Sequence, residues 1–294
     1  MQKNITPRLI PALIAIAFSG SASAAGFQLL EQNASGLGNA YAGSAAVAEN
    51  ASTIFFNPAG MTQLQDRELS LGGTLVKTNF EFTNNGSSTG LLTGDGGNGG
   101  SLGFIPNAYM SWALSKDLYV GLGIGAPFGL KTEYDNPWRG GAHSLSFDIK
   151  TINLNPSIAW RATEWMSLGL GVNVQKIDAK YEKLAGIGPV NIGPPLGVRN
   201  LHQATTTLDA DDTAWGWNAG ALFTLSPSTK LGVSYRSSVK YTLEGSLTTT
   251  GPDPVLNGAT SSGAKAELKL PDIFVISLTH ALNERWELLG DISW

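Results

Sequence analysis

The sequence contains no cysteine, so neither a disulfide nor a thiolate metal site is available to its 294 residues. Charged residues make up only 14% of the chain, compared with about 25% in a typical soluble protein. The formal net charge is −4, and lysine and arginine form no basic stripe that could bind nucleic acid. No stretch reaches the ~20 apolar residues that a membrane-spanning helix needs. These absences exclude a nucleic-acid-binding protein and a helical membrane protein.

The sequence is rich in short segments in which apolar residues alternate with small polar ones. Between Met166 and Val174 every second residue is apolar, and the residues between them are serine, glycine and asparagine. A strict period of two predicts a strand with two unlike faces, and a small polar face opposite an apolar face is typical of a transmembrane β-barrel. The pattern recurs in residues 118–128, 215–223 and 231–244.

This periodicity predicts nine strands, joined alternately by short turns and long loops. The predicted strands are residues 68–82, 106–115, 118–128, 147–161, 165–180, 213–225, 230–248, 264–281 and 285–294. Such alternation is typical of the periplasmic turns and extracellular loops of an outer-membrane barrel. We therefore predict an all-β fold, a transmembrane antiparallel β-barrel in the bacterial outer membrane.

The first 66 residues do not follow the strand pattern. Lys3 and Arg8 precede a short apolar run, and Ala22-Ser23-Ala24 is a small-residue cleavage site, so residues 1–24 are predicted to be a secretory signal peptide. Residues 25–66 are small and apolar, and irregular backbone of this kind can lie inside a wide lumen but not in lipid. We predict a partly helical hatch over residues 25–66 that plugs a barrel formed by residues 67–294.

Several short motifs follow one another in a specific order from residue 25 to the end of the chain. They include Ala25-Gly26-Phe27-Gln28, Asn57-Pro58-Ala59-Gly60-Met61, Gly125-Ala126-Pro127-Phe128 and Leu270-Pro271-Asp272. With these motifs the sequence resembles the outer-membrane long-chain fatty acid transporter family, the FadL type. The resemblance implies a 14-stranded monomeric barrel with an N-terminal hatch, which takes up hydrophobic molecules through a lateral opening in its wall.

The sequence departs from that family at two places. The family usually carries an acidic residue where Asn50 stands, so a charge contact of the hatch is in doubt there. Residues 291–294 resemble an internal strand of the family rather than a final one. Because single-chain bacterial barrels normally have an even number of strands, we expect a sequence that is truncated at its C-terminus by roughly five strands.

Asn57, Pro58 and Ala59 are the predicted gating residues of the hatch. Proline fixes φ and disfavours a helical conformation of the preceding residue, so this tripeptide holds a set bend where the hatch approaches the first strand. The bend is consistent with a hinge that moves during transport, and equally with a purely structural turn.

Two groups of residues are predicted to bind the substrate. Phe27, Leu29, Phe55, Phe56 and Trp138 offer apolar surface for a hydrophobic molecule, although the same residues could simply pack the hatch and pin the loops.

Arg236 and Lys240 lie on the lumen parity of residues 231–244, where a cation could receive a carboxylate head group. The competing and favoured interpretation of these two cations is a lumen salt-bridge network that includes Glu244.

The predicted function is passive uptake of hydrophobic compounds, above all long-chain fatty acids, with an aromatic hydrocarbon channel as the alternative. A hatch rearrangement would release the ligand through the wall, and residues 121–127, rich in glycine, are a candidate opening. An aqueous porin or a lipid-modifying enzyme is less well supported. Residues 99–103 match the esterase pentapeptide only in a glycine-rich loop, so no catalytic residue is predicted. No HExxH or EF-hand spacing occurs, and we expect no metal, no cofactor, and partners limited to hydrophobic small molecules and outer-membrane lipids.

Overall fold

The computed structural model describes residues 28–86, 92–185, 189–191, 198–200, 204–251 and 258–294. The predicted signal peptide lies outside these residues. The described helices are short: a single turn of α-helix, α1 (Thr53–Phe56), and two 3-10 helices, Ser35–Asn39 and Pro58–Gln63. None of the described helices is long and apolar enough to cross a membrane.

Strands make up most of the described chain. They are β1 (Arg67–Lys77), β2 (Leu102–Ala113), β3 (Leu118–Gly125), β4 (Gly129–Glu133), β5 (Ser146–Arg161), β6 (Met166–Ala185), β7 (Pro189–Asn191), β8 (Val198–Asn200), β9 (Ala204–Ser226), β10 (Thr229–Arg236), β11 (Val239–Thr250), β12 (Ala259–Leu270), β13 (Ile273–Asn283) and β14 (Trp286–Ser293).

Twelve of these strands form one antiparallel sheet, in the order β1-β2-β3-β5-β6-β9-β10-β13-β14. β4 continues the line of β3 against β5, while β11 pairs with β9 and β12. The sheet wraps around the hatch, because hatch residues contact inner faces from β1 through β14. Within the described residues the two edge strands, β1 and β14, do not pair with each other. The predicted all-β architecture with an internal hatch is confirmed.

Three of the predicted strands are interrupted. The single strand predicted for residues 118–128 ends at Gly125 in the structure, as β3, and β4 begins at Gly129 after a three-residue break. Residues 230–248 are not one strand but β10 and β11, and residues 264–281 are β12 and β13, separated at Pro271 and Asp272. The continuous strands predicted for these segments are wrong. Proline has no amide hydrogen, so the ladder loses a bond at Pro271.

The outer face of each long strand has two sections. On β6, residues 166–174 carry exposed apolar side chains on the outer face and buried small polar ones on the inner face. From Lys176 upward the outer residues are charged, and the inner residues Ile177 and Ala179 are buried and apolar. We call these parts of the wall the lower section and the upper section. Short turns connect the strands at the lower end and long loops at the upper end, so the lower end is periplasmic.

The lower section has the height of a bilayer. Nine residues of β6 lie in it. At ~3.3 Å per residue and a strand tilt of about 40°, they cover roughly 23 Å, close to the apolar band of outer-membrane barrels. Its interior holds the hatch, whose Ile54 and Met61 pack against Tyr109 and Tyr119 of the wall. The interior of the upper section is instead an apolar cluster that includes Phe128, Ile177 and Leu243.

One extra residue at the break between β10 and β11 reverses the faces of the chain. Arg236 pairs with Asn218 of β9, and Glu244 pairs with Asp211. From Arg236 to Glu244 the chain advances eight positions, whereas the paired stretch of β9, from Asp211 to Asn218, advances only seven. Because side chains alternate with a period of two, the insertion turns Lys240 to the exposed outer face while Arg236 points inward. The predicted lumen position of Lys240 is wrong for this reason.

Candidate functional site

Asn57 anchors the hatch at its centre. Its side chain is fully buried, and Nδ2 donates to the carbonyl oxygens of Ala45 (2.7 Å) and of Ala221 on β9 (3.0 Å). The same side chain accepts a hydrogen bond from the amide of Ala59 at 3.1 Å and so caps the second 3-10 helix, in which Pro58 is the first residue. The predicted bend thus joins two parts of the hatch to the wall.

Glycines on the inner face of the wall let the hatch backbone approach closely. A Cβ atom at Gly220 would collide with the side chain of Asn57, and one at Gly169 with the backbone of Ala59. Gly232 faces the hatch backbone in the same way. Sequence analysis noted these glycines only as a small polar face. Their spacing on the inner parity was the available signal that the hatch would lie directly against them.

The wall has a gap beside the break between β3 and β4. Gly125 pairs with Asn153 and Gly129 with Lys150, so three residues of the break oppose two on β5. β2 pairs with β3 only as far as Ala108, and β4 pairs only with β5 in the described structure. Residues 102–107 of β2 therefore have no ladder partner on this side. We call this space, between residues 102–107 and β4, the wall gap. It lies just above residues 121–125 of the predicted opening.

The start of the hatch covers the free edge of this break. Gln28 forms an antiparallel bridge with Phe128, and the amide of Leu29 donates to the carbonyl oxygen of Pro127 at 2.9 Å. The Gln32 side chain is buried and donates to the carbonyl oxygen of Ala126 at 2.8 Å. These bonds satisfy the backbone carbonyls that the interrupted ladder leaves without a strand partner. The hatch is therefore fastened to the wall at the gap as well as at Asn57.

A cavity of about 280 Å³ lies between the hatch and the inner faces of β10, β13 and β14. Apolar and aromatic side chains make up about half of its lining residues, and the polar ones include a cation and an anion. The lining residues are Gln28, Leu30, Ala40, Tyr41, Ser44, Phe55, Phe56, Ser234, Arg236, Ile273, Val275, Asp291 and Ser293. Gln28, which bridges to Phe128 at the break, lines one side of this cavity.

Arg236 is the basic group of this cavity. Its guanidinium carbon lies 4.3 Å from the ring centroid of Phe55, and Nη2 donates to the Phe55 carbonyl oxygen at 2.9 Å. Nη1 donates to the side-chain oxygen of Asn173. Arg236 forms no ion pair within the described part of the chain. The predicted lumen partner, Glu244, instead accepts a hydrogen bond from Lys265 on the outer face at 2.5 Å.

A cluster of asparagines holds the acceptor of Arg236 in place. The Asn173 side-chain oxygen also accepts from Asn153 at 3.0 Å, and Asn173 donates to Asn218 at 2.9 Å. Asn155 donates to the same Asn218 oxygen at 3.0 Å. This cluster was not among the predicted site residues, although all four asparagines lie on the inner face of neighbouring strands.

Acidic and phenolic groups complete the cavity. Asp291 of β14 accepts a hydrogen bond from the amide of Gly43 at 3.0 Å, so this carboxylate is already occupied by the hatch. Tyr41 donates to the carbonyl oxygen of Asn33 at 2.7 Å and stacks on Phe56. Burial raises the pKa of the Tyr41 hydroxyl above its ordinary value, and the Glu31 carboxylate adds to the shift, so Tyr41 stays neutral.

The structure brings some of the predicted substrate-binding residues together and separates others. Phe55 and Phe56 line the cavity. Leu29 packs beside Gly129 at the break, and Phe27 lies outside the described residues. Trp138 is 7% exposed in a loop cluster, where it stacks on Tyr134 with ring centroids 4.3 Å apart.

The Trp138 indole nitrogen also donates to the carbonyl oxygen of Ser144 at 3.0 Å. This tryptophan pins loops together and does not line the cavity. Of the two predicted carboxylate-binding cations, only Arg236 reaches it.

Comparisons with known proteins identify the family and the fold. Residues 15–294 match the family described as outer membrane protein transport protein (OMPP1/FadL/TodX). The chain is 33% identical to outer membrane protein P1 of Haemophilus influenzae, over 91% of this chain and 64% of that protein. It is 28% identical to the long-chain fatty acid transport protein of Escherichia coli K12, over 100% of this chain and 72% of that protein. The chain thus spans about two thirds of the length of these relatives.

Two solved structures show the same fold. A Pseudomonas aeruginosa FadL homologue superposes with a TM-score of 0.77 at 23% identity, covering 91% of this chain and 69% of that chain. The Ralstonia pickettii toluene transporter TbuX superposes with a TM-score of 0.62 at 18% identity, covering 86% of this chain and 69% of that chain.

Proposed function

The chain belongs to the OMPP1/FadL/TodX family of outer-membrane transport proteins, and from this premise we propose that it mediates passive uptake of long-chain fatty acids. The observation that carries the proposal is the cavity, in which Arg236 has no anionic partner among the described residues and lies beside aromatic hatch side chains. An aqueous porin is less well supported, because the hatch fills the lower lumen. An enzyme is less well supported because the family is described as transport proteins.

The polar and apolar groups of the cavity suit an amphipathic ligand. A carboxylate would accept charge-assisted hydrogen bonds from the Arg236 guanidinium, which now donates to a carbonyl and an amide oxygen. The hydrocarbon chain would contact Tyr41, Phe55 and Phe56, which line the same space. An aromatic hydrocarbon could use only these apolar walls, so the guanidinium favours a fatty acid.

Arg236 also connects the ligand to the hatch. The Phe55 carbonyl that it binds lies two residues before Asn57, the residue that ties the hatch to β9. A carboxylate that draws the guanidinium away would leave this carbonyl without its donor. We infer that ligand binding loosens the hatch from Phe55 to Ala59, with Asn57, Pro58 and Ala59 as the moving joint.

The exit would be the wall gap. Its outer rim carries the exposed Leu102 and Phe104, whose cross-strand partners on β1 are Lys77 and Leu75. Residues 28–32 cover the gap through a few backbone and side-chain hydrogen bonds, which cost less to break than a full strand pairing. Release of this segment would open a lateral path from the cavity into the lipid.

An aromatic hydrocarbon channel is the second candidate. It is favoured by the aromatic lining of the cavity and by the structural likeness to the toluene transporter TbuX. The two candidates differ in their need for Arg236, because toluene has no group that a guanidinium could hold by an ion pair.

The test is uptake of radiolabelled oleate and of toluene by cells that express the protein, compared with cells that lack it. Arg236→Gln should lower oleate uptake by roughly 10-fold or more, the usual effect of losing a hydrogen bond to a charged group, and leave toluene uptake unchanged. Arg285→Gln removes an exposed arginine near a periplasmic turn and serves as the matched control. Oleate uptake that survives Arg236→Gln at normal surface abundance would refute the role of Arg236. Toluene uptake alone in the wild type would establish the hydrocarbon channel.

A further inference from the structure

Lysines mark the upper edge of the apolar band around the wall. On the line formed by β13 and β12 the exposed Asp272 is the first charged residue above the outward apolar residues, and on five other lines this residue is a lysine. Six lysines lie at or just above this level, on β1, β5, β6 and on β4, β11 and β12, which continue the lines of β3, β10 and β13. These residues are Lys77 of β1, Lys131 of β4, Lys150 of β5, Lys176 of β6, Lys240 of β11 and Lys269 of β12, and all six are exposed. We call them the lysine row. Acidic residues such as Glu133 and Asp178 lie two positions higher on the same strands.

The lysine row lies at the boundary between hydrocarbon and water. On β6 the exposed Val174 is followed on the outer face by Lys176, and on β1 the exposed Leu75 is followed by Lys77. Neighbouring residues on one face of a strand are about 7 Å apart. The ammonium groups therefore reach the level at which lipid head groups begin. Because the long loops leave from this end, these head groups belong to the outer leaflet.

Three members of the row, Lys77, Lys240 and Lys269, form no ion pair with any described residue, and two of them face each other. Lys240 and Lys269 are direct cross-strand partners on the outer face of β11 and β12. Like charges placed directly opposite destabilise a sheet. Neither lysine forms an ion pair with any described residue, whereas Lys150 and Lys176 bind neighbouring carboxylates at 3.0 Å. An external anion between Lys240 and Lys269 would remove their repulsion.

We propose that the lysine row binds the phosphate groups of lipopolysaccharide, with Lys240 and Lys269 as the centre of the site. The outer leaflet of the outer membrane is built from this phosphorylated glycolipid, so its anionic groups meet the row at the same depth. Lys131, Lys150 and Lys176 can contribute because their ion pairs are solvent-exposed and weak, and phosphate can displace the carboxylates. The site is independent of the substrate cavity and faces away from it.

The test is binding of bisphosphorylated lipid A to the purified protein in detergent, measured by native mass spectrometry. The wild type should bind it more tightly than lipid A from which both phosphates have been removed. The double variant Lys240→Gln/Lys269→Gln should weaken binding about 30-fold, the combined effect expected for two lysines at an anionic lipid surface. Lys240→Arg/Lys269→Arg should retain binding, because it preserves both charges.

Two controls decide the specificity. Lys116→Gln/Lys230→Gln removes two lysines at the periplasmic turns and should leave lipid A binding unchanged. The proposal fails if this control loses affinity as much as the Lys240/Lys269 variant does, or if that variant binds like the wild type. Equal affinity for phosphatidylglycerol and for bisphosphorylated lipid A would also overturn it, since the row would then recognise any anionic lipid.

Discussion

The lower and upper sections of the wall use the same strands with opposite face chemistry. Along β6, Val172 points to the outside and Asn173 to the lumen, whereas five residues higher Ile177 is buried inside and Asp178 is exposed outside. The period of two continues without interruption between these pairs. What changes is the surrounding solvent, which is hydrocarbon outside the lower section and water outside the upper section. The point where the faces exchange polarity therefore locates the bilayer surface on the protein.

The two interiors consequently differ in polarity, because the lower one adds buried hydrogen bonds to the apolar contacts of Ile54 and Met61. The lower interior contains hydrogen bonds between asparagines, Arg236 and the hatch, and such bonds can be exchanged for bonds to a ligand or to water. The upper interior contains an apolar cluster around Ile177 and Leu243, whose packing is lost if the parts separate. A hatch that must move is therefore better placed in the lower section, below a rigid upper section.

The largest difference between the two sections is expected when a charge is placed on the outer face of each. Leu170→Arg places a guanidinium in the middle of the lower section and should destabilise the protein by about 3 kcal/mol, since lipid solvates a charge poorly. Thr242→Arg places the same side chain on the exposed outer face of the upper section and should change stability by less than about 0.5 kcal/mol. Urea-induced unfolding in lipid vesicles measures both. Similar values for the two variants would show that lipid does not end near Val174.

An effect of intermediate size on stability is expected when a residue in each interior is replaced by the type that is found in the other. Asn173→Leu removes the acceptor of Arg236 from the lower interior, and Leu243→Asn places an amide in the upper apolar cluster. Each should cost about 2 kcal/mol, because each leaves buried polar groups without partners. The same unfolding measurement applies. Stabilisation by Asn173→Leu would mean that the lower interior, like the upper one, is held by packing.

The fold was largely predictable from the sequence because alternation reports faces directly. Residues 166–174 alternate strictly, and β6 has the predicted faces. The break between β10 and β11 was not predictable, since one inserted residue beside Ser237 and Ser238 leaves the local alternation plausible on either side. Only the pairing with β9 shows that the faces reverse there. Lys240 was misplaced for this reason.

The candidate site was predictable only in part. Arg236, Phe55 and Phe56 could be selected by residue type and parity, and they meet in one cavity. The contribution of Tyr41 and Asp291 depends on how the hatch lies against β14, a contact between residues 248 positions apart in the case of Gly43 and Asp291. No local pattern encodes such a distance. Trp138 was predicted to bind the ligand but packs within the loops. A tryptophan in a loop can cover a ligand or pack against other loop residues, and the local sequence does not distinguish the two.

The smallest effect is expected for the charged residues on the outer face of the upper section. It tests whether these charges stabilise the section or merely keep it out of the lipid. Lys176 lies 3.0 Å from Asp178 and 3.7 Å from Asp211, yet all three side chains are about half exposed. Lys176→Gln should therefore leave the free energy of unfolding nearly unchanged, with any difference vanishing at high salt. A clear loss of stability that salt does not reduce would contradict this view. The charges would then stabilise the upper section as strongly as its apolar cluster does, rather than merely keeping that section out of the lipid.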